Sequence, residues 1–452
     1  MVKAKYGGQG NHVEYSRYNR IVKTGPAAWA LYNFRTGKLA HLNPVTLDTY
    51  EHALDRSAHT KFARNLREEG FLVDYDERAH MRAQLVATCG QTSYLGLVVC
   101  PTLSCNFTCP YCFEHARRGT MDASMRKRVV EFAEKRAREQ ASSHFEVIWY
   151  GGEPLLCQDV IADLSARFMD MCERLHMTYT ADIVTNGYLL DRRAGELLRT
   201  ARVKNVQITL DGPDAATHDA TRHLADGSGS FDRIIDNLRE LRADLHIDVR
   251  CNCHAQNVDR LGELRELLDR IASENGLSID LTPAYMDGEM GAIDAKASCS
   301  LALGREEYSD AFFEFYSAGM GPTRYRFFGS GCMACNANGY AVDDAGDIYL
   351  CWEHMGDEDF VIGNIEDCLH DREPDARVGI YDSFMASMWP GDDEECMDCE
   401  ILPVCLGGCP HKRVVDGRHV CWPLKYNMDA YIRSLCSAEK GTMERPDSRE
   451  RR

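Results

Sequence analysis

The sequence predicts an α/β protein: an open, partial (β/α)6 barrel over residues 93–320, preceded by a small α/β module over 1–92 and followed by a cysteine-rich domain over 321–436. Three observations carry this. At 452 residues the chain exceeds what one hydrophobic core usually serves, so two or three domains are expected. Between 93 and 320, six β-rich apolar runs alternate with amphipathic helical runs, which implies repeated βα units and a parallel sheet. The 20 cysteines are clustered: residues 1–88 hold none, three fall within 105–112 and four within 396–409.

Taken in order, the N-terminal module opens with Trp29–Phe34 and Lys38–Leu42, which flank Arg35-Thr36-Gly37 as a hairpin signal. Asn43-Pro44 starts a helix with Leu47, Tyr50 and Leu54 on one face, and Phe62, Leu66 and the terminal Gly70 mark a second. Phe71-Leu72-Val73 reads as a short strand, and a third helix follows Asp76. The barrel strands are Leu95–Cys100, Phe145–Tyr150, Tyr179–Thr185, Val206–Leu210, Ile247–Asn252 and Leu277–Leu281. Between them lie helices such as Asp122–Gln140, with Met125, Val129, Phe132 and Ala133 on one face, and Asp159–Leu175, with Ile161, Leu164 and Phe168. Chemistry in such folds sits at the C-terminal ends of the strands. Beyond 321 the rhythm is lost, and metal clusters would stand in for the missing core. Residues 437–452 are almost wholly polar and are expected to be a disordered tail.

Composition narrows the function classes. The net charge is −18 and no basic block is present, which gives no footing for nucleic acid. Met1–Gly10 lacks the apolar core of a signal peptide, and no uncharged apolar run reaches membrane-spanning length, so a soluble, cytoplasmic protein is expected with no membrane partner. Reductants in that compartment keep thiols free, which turns so many cysteines from a disulfide scaffold into candidate metal or metal-sulfur ligands.

The first motif is Cys105-Asn106-Phe107-Thr108-Cys109-Pro110-Tyr111-Cys112, directly after the first barrel strand. Three cysteines spaced four and then three apart can converge three thiolates, the ligands that iron-sulfur clusters require. A structural zinc site is the bland alternative, but zinc would want a fourth ligand and a second paired knuckle nearby. The CxxxCxxC spacing with an aromatic before the last cysteine resembles the signature of the radical S-adenosylmethionine (SAM) superfamily. That resemblance implies a radical SAM barrel in which one iron of a 4Fe–4S cluster stays open to chelate SAM, whose reductive cleavage gives a 5′-deoxyadenosyl radical.

Further motifs follow at successive strand ends. Gly151-Gly152-Glu153-Pro154 ends the second strand, and two glycines let a backbone approach closely. Thr185-Asn186-Gly187 ends the third, and Thr209-Leu210-Asp211-Gly212 the fourth. His218-Asp219 with Arg222 repeats the family's HDxxR pattern, and Arg250, Asn252 and Asn257 match its next strand end. Each alone is weak, since polar residues commonly cap strands and turns, but the order and spacing are jointly strong. The resemblance implies SAM contacts from Tyr111, Gly151, Gly152, Glu153, Pro154, Thr185, Asn186, Thr209, Asp211, Arg222 and Asn252.

The C-terminal cysteines are Cys332, Cys351 in a Gly-x4-Cys element, Cys396-x2-Cys399-x5-Cys405-x3-Cys409, and Cys421. The four packed cysteines could hold one zinc, which would leave Cys351 and Cys421 without purpose. As a set they resemble the seven-cysteine SPASM iron-sulfur domain. This implies two auxiliary 4Fe–4S clusters, one on Cys332, Cys351 and Cys409, the other on Cys396, Cys399, Cys405 and Cys421, and three clusters in all. Cys335 stands where relatives commonly have glycine; it could complete the first auxiliary cluster or remain a free thiol, and ligation is the expectation taken. Cys89, Cys100, Cys157, Cys172, Cys251, Cys253, Cys299, Cys368 and Cys436 have no motif partner and read by default as buried small hydrophobes.

The N-terminal strands and helices resemble the winged-helix-like module with which many peptide maturases grip a precursor's leader; a structural cap is the alternative. Cys-Pro-Tyr-Cys-Phe-Glu resembles the text of thioether-forming maturases. The implied activity is thioether crosslinking of a cysteine in a ribosomally made precursor peptide, with an electron donor such as flavodoxin or ferredoxin. Formylglycine formation of the sulfatase-maturase kind, peptide epimerisation and carbon-carbon crosslinking are the enzymatic alternatives. A non-enzymatic iron-sulfur electron carrier is the alternative from another class.

Overall fold

The computed structural model describes residues 13–54, 61–114, 117, 119–242, 244–286, 301–317, 327, 332–372, 376–391, 393–415, 417 and 420–443. They divide into two compact units, one within Met1–Cys89, Ser309–Cys332 and Ala386–Arg452, the other within Gly90–Tyr308 and Met333–Met385.

The first unit holds β1 (Glu14–Tyr15), β2 (Asn19–Gly25), β3 (Ala28–Asn33), β4 (Lys38–Leu42), α1 (Pro44–Glu51), α2 (Lys61–Glu68), β5 (Leu72–Val73) and α3 (Glu77–Cys89). β2, β3 and β4 form an antiparallel sheet, and β1 pairs with β5. Gly37 closes the β3–β4 hairpin at a φ of 71°, a conformation glycine adopts without steric cost. Asn43 caps α1 by accepting from the Val45 and Thr46 amides while Thr46 returns a bond, a reciprocal capping box. Leu31, Tyr50, Leu66, Phe71 and Leu72 share the core. β2 escapes sequence reading because only Val22 of its seven residues is buried, so the strand shows no alternation.

Helix Met428–Met443 belongs to this unit, where Tyr431 meets the Tyr32 hydroxyl at 3.2 Å and stacks on Phe34. This corrects the expected tail: residues 437–443 continue a helix whose Tyr431, Ile432, Leu435 and Cys436 bury one face. Residues 444–452, Met1–Gly10 and Cys299 lie outside the described residues.

The second unit holds β6 (Tyr94–Val99), α4 (Ala123–Glu139), β7 (His144–Trp149), α5 (Gln158–Leu175), β8 (Thr178–Thr185), α6 (Arg192–Thr200), β9 (Val203–Thr209), α7 (Ala215–His218), α8 (Phe231–Glu240), β10 (His246–Cys253), α9 (Leu261–Asn275), β11 (Ser278–Tyr285), β12 (Gly339–Val342), β13 (Asp347–Tyr349) and β14 (Gly363–Asn364). Its sheet runs β11-β10-β9-β8-β7-β6-β12-β13-β14. All neighbours from β11 to β6 are parallel, so the six expected strands are present in chain order. One face is covered by helices, as where Phe145 and Trp149 of β7 meet Phe168 of α5. The alternation therefore has a physical basis, with every second residue of β7, β8, β10 and β11 buried.

The linear segmentation is corrected at its C-terminal boundary. β12 pairs in parallel with β6, Gly339 opposite Gly96 and Val342 opposite Val99, and β13 and β14 extend the same sheet. Part of the region 321–436 thus covers the otherwise open β6 edge, an edge that would expose unpaired backbone groups.

Candidate functional site

The polypeptide leaves β6 through Cys100, whose thiol donates to the Thr102 carbonyl at 3.1 Å, and enters the cysteine loop. The loop is held to the segment after α7: the Thr108 amide donates to the His223 carbonyl at 3.2 Å and the Ala225 amide to the Asn106 carbonyl at 3.0 Å. Within it the Phe107 amide donates to Cys105 Sγ at 3.4 Å and the Cys112 amide to the Cys109 carbonyl at 3.1 Å. Cys105 is exposed, Cys112 half-buried and Cys109 buried. Loss of hydration raises the buried Cys109 thiol and pushes Cys112 up to about 11. Free thiols here stay protonated, so ligation must displace protons, as metal binding to cysteine does generally.

Gly151 and Gly152 lie directly against the root of this loop. A Cβ on Gly151, which sits at a φ of 119°, would fall 2.4 Å from Cys100 Sγ, and one on Gly152 would fall 2.3 Å from the Ser104 carbonyl oxygen. No side chain fits at either position. Glu153 follows, completely buried, and caps the short 3-10 helix Pro154–Cys157 by accepting from the Leu155 amide at 2.9 Å. The same oxygen accepts from the Thr185 hydroxyl at 2.6 Å, and the other accepts from the Asn186 amide at 2.7 Å. Burial raises its carboxyl while these donors oppose the rise. Asn186 in turn donates to Asn106 Oδ1 at 2.8 Å, joining the end of β8 to the cysteine loop.

A second network centres on Asp211, also fully buried. Its carboxylate accepts from the Tyr111 hydroxyl, from the Asn252 amide at 3.0 Å and from the Thr221 hydroxyl at 3.3 Å. The Tyr111 oxygen also accepts from Arg222 at 3.0 Å and Asn252 at 3.3 Å. Asn257 ties the group from below, donating to the Asp211 carbonyl at 2.8 Å and the Asn252 carbonyl at 3.0 Å. Arg222 is buried, lies over the Phe107 ring at 5.6 Å, and its Nε has no hydrogen-bond partner. A buried, unpartnered guanidinium nitrogen beside the cysteine loop suits a bound carboxylate such as that of the methionyl part of SAM. Thr209, the last residue of β9, is buried beside this network. The structure therefore brings together the residues expected around SAM, and the chemistry of the donor set fits that group.

His218 positions this network. Its Nδ1 accepts from the Asp211 amide at 3.1 Å, which leaves the proton on Nε2 to donate to Ser230 Oγ at 3.1 Å; the Ser230 hydroxyl in turn donates to the Arg222 carbonyl at 2.7 Å. Burial first, then the Arg222 charge, lowers its pKa to about 3. The folded state holds the ring neutral while the unfolded chain protonates near 6.5, so stability is complete above that value and falls as pH drops toward 3. The slope is about 1.4 kcal/mol per pH unit from this group. A His218→Gln variant should lose that component of the acid slope in denaturant titrations at pH 4.5 to 7; an identical slope would show that His218 is not held neutral. Ser230, Thr221 and Asn106 are among the members that sequence reading missed. Asn106 lay inside the motif already, and Ser230 follows the HDxxR segment without a signature of its own.

Among the C-terminal cysteines, Cys396, Cys399, Cys405 and Cys421 line one cavity together with Glu395, Trp422 and Lys425. Lys425 Nζ stands 3.4 Å from Cys421 Sγ and pairs with Glu395. Burial pushes Cys396 up to about 12 and raises Cys399 and Cys405. Among the described residues no three His, Cys, Asp or Glu side chains are placed for one metal ion. Cys332 and Cys409 are exposed members of the first unit, and Cys351 is a half-buried member of the second. Cys335 is fully buried on the turn Met333–Cys335 and donates to the Phe384 carbonyl at 3.4 Å. Cys251 and Cys253 fall on the buried face of β10, not on the face that carries Asn252.

Residues 99–268 match the radical SAM superfamily profile. The cysteine-type anaerobic sulfatase-maturating enzyme of Clostridium perfringens is 23% identical over 386 residues, 77% of this chain and 95% of that protein. The mycofactocin maturase MftC of Mycolicibacterium smegmatis is 24% identical over 326 residues, 68% of this chain and 76% of that protein. Among solved structures, native anSMEcpe with bound AdoMet and Cp18Cys peptide superposes with a TM-score of 0.57 at 16% identity, covering 77% of this chain and 99% of that one. That likeness concerns the fold. No helix among the described residues is long and apolar enough to cross a membrane.

Proposed function

We infer, from the premise that residues 99–268 form a radical SAM domain and that the chain is an enzyme related to peptide and protein maturases, that it uses a SAM-derived radical to modify a peptide. The observation that carries this is the pair of buried networks that hold the cysteine loop, Gly151-Gly152-Glu153 and Tyr111-Asp211-Arg222 in one constellation. Cys105, Cys109 and Cys112 would hold a 4Fe–4S cluster with SAM, and that group would supply a carbon radical able to abstract hydrogen from unactivated carbon. Arg222 orients an anionic group of SAM, Glu153 fixes the strand end at Asn186, and the buried Asp211 network excludes water from the same wall.

Thioether formation at a cysteine is the specific reaction proposed. Joining sulfur to carbon removes two hydrogens, one as an atom to the adenosyl radical and one as the thiol proton, and leaves one electron for an acceptor. Two auxiliary 4Fe–4S clusters are proposed as that acceptor system. The cavity lined by Cys396, Cys399, Cys405 and Cys421 supports the one assigned to those thiols. The one assigned to Cys332, Cys351 and Cys409 rests on the motif, and the buried Cys335 is proposed as its further ligand, which would exchange its bond to the Phe384 carbonyl for iron. The N-terminal α/β module is proposed to take the precursor's leader by strand addition to a sheet edge.

With SAM and a strong reductant, the reconstituted enzyme should release 5′-deoxyadenosine and methionine. With its precursor it should yield a product two hydrogens lighter per crosslink that resists alkylation at the cysteine used. A product of unchanged mass and inverted stereochemistry would replace thioether formation by epimerisation, and one that alkylates fully would favour a carbon-carbon crosslink. The sulfatase-maturase reading is weakened by the share of the chain involved: 77% of this chain accounts for 99% of the anSMEcpe chain.

A further inference from the structure

The face of the second unit's sheet opposite the helices is apolar where Ile148 and Val184 pack against Val98 and Tyr349, and polar toward the N-terminal strand ends and across β9 to β11. Register places Asp182 of β8 beside Asn205 of β9, Gln207 beside Asp248 of β10, and Asp248 beside Asp280 of β11. Glu146 of β7 lies on the same face, since its register partner Thr180 precedes Asp182 by two residues. Water reaches this face although most of these strands are internal to the sheet. Its fixed charges near the N-terminal ends are acidic.

One side chain reverses the sign. Arg250 of β10 is exposed despite lying between two paired strands, opposite Thr209 on one side and Thr282 on the other. Its Nε donates to Asn252 Oδ1 at 2.9 Å, and among the described residues it has no other hydrogen bond and no ion pair. The nearest acid on its own strand face, Asp248, is engaged by the Thr282 hydroxyl at 2.7 Å. Asn252 continues to the Tyr111 hydroxyl, so Arg250 stands two hydrogen bonds from the cysteine loop. An exposed guanidinium with both terminal nitrogens free, inside a fold and beside a reaction site, is built to accept a planar anion in two parallel bonds. Arg222 is the buried cation of the pair and bonds the Tyr111 hydroxyl.

We propose that Arg250 is a substrate-recognising residue that binds a carboxylate of the peptide, an Asp or Glu side chain close to the position modified, on the open face of the sheet. The surrounding acids confine a negative group to this one place, so the ion pair sets register as well as affinity. This rests on the peptide reading above.

The test is arginine-selective labelling of the SAM-loaded holoenzyme with phenylglyoxal, read at Arg250 by peptide mass spectrometry. Arg250 should label readily, and N-acetyl-glutamate N-methylamide should slow labelling about tenfold, as a charge-assisted bidentate contact permits, while the glutamine analogue should not. Equal protection by both analogues, or none by either, overturns the proposal, as does an Arg250 that fails to label at all. Protection by SAM alone, seen against SAM-free enzyme, would assign Arg250 to SAM and overturn it too. Protection by acetate that matches the glutamate analogue would show a site for any small anion and overturn the assignment to a peptide carboxylate. Failure of the peptide reading itself shows separately, as a precursor that comes back unmodified.

Discussion

Replacement of Cys105, Cys109 and Cys112 together by alanine is expected to abolish release of 5′-deoxyadenosine while leaving most of the iron in place. Besides the buried Cys100 at its root, the three thiols are the only cysteines of the loop between β6 and α4, and no backbone or side-chain oxygen can replace thiolate as the preferred iron-sulfur ligand. Cys396, Cys399, Cys405 and Cys421 line their own cavity in the other compact unit. Loss of one site should therefore spare the other. Wild-type enzyme should bind about twelve irons and the triple variant about eight, by the four-iron stoichiometry of such clusters. Iron analysis with chromatography of the nucleoside product decides it. Continued 5′-deoxyadenosine formation would remove the loop from the reaction, and a wild-type count near four would remove both auxiliary clusters.

The six parallel strands were legible because burial on one face imposes a period of two that local sequence displays directly. Phe145, Val147 and Trp149 are buried while His144, Glu146 and Ile148 are not. Asp122 announced α4 for a similarly local reason, since its side chain caps the Met125 amide. Non-local pairing was not legible. Nothing in Gly339–Val342 states that its partner is β6, some 240 residues earlier, because a four-residue buried strand has no periodicity to read. The same division holds at the site. Cys105, Gly152 and Glu153 announce themselves by motif spacing, and the reason Gly152 must be glycine emerges only from the Ser104 carbonyl against it. Ser230 and the open guanidinium of Arg250 depend on which strands and turns meet, and a single sequence does not encode that in its spacing.

Glu153→Gln is expected to have the second large effect, although it changes almost no volume. The carboxylate accepts from three donors with no solvent to assist: the Leu155 amide and Thr185 hydroxyl at one oxygen, the Asn186 amide at the other. A carboxamide has one acceptor and one donor end. If its NH2 takes the first position, the Leu155 N–H loses its acceptor; if it takes the second, the Asn186 N–H does. The Thr185 hydroxyl can rotate to adapt, but a backbone N–H cannot. Either orientation leaves one buried donor unsatisfied, at a cost of about 1–3 kcal/mol. Relief must come from movement of the strand end, and Asn186 carries that movement to Asn106 in the cysteine loop. SAM cleavage should thus fall by at least about tenfold, the equivalent of 1.4 kcal/mol in the barrier, with a matching loss of stability in denaturant titration. Glu153→Ala orphans all three donors and should be worse. A Glu153→Gln enzyme with wild-type stability and turnover would show that the strand end is set by other contacts and that the carboxylate is dispensable.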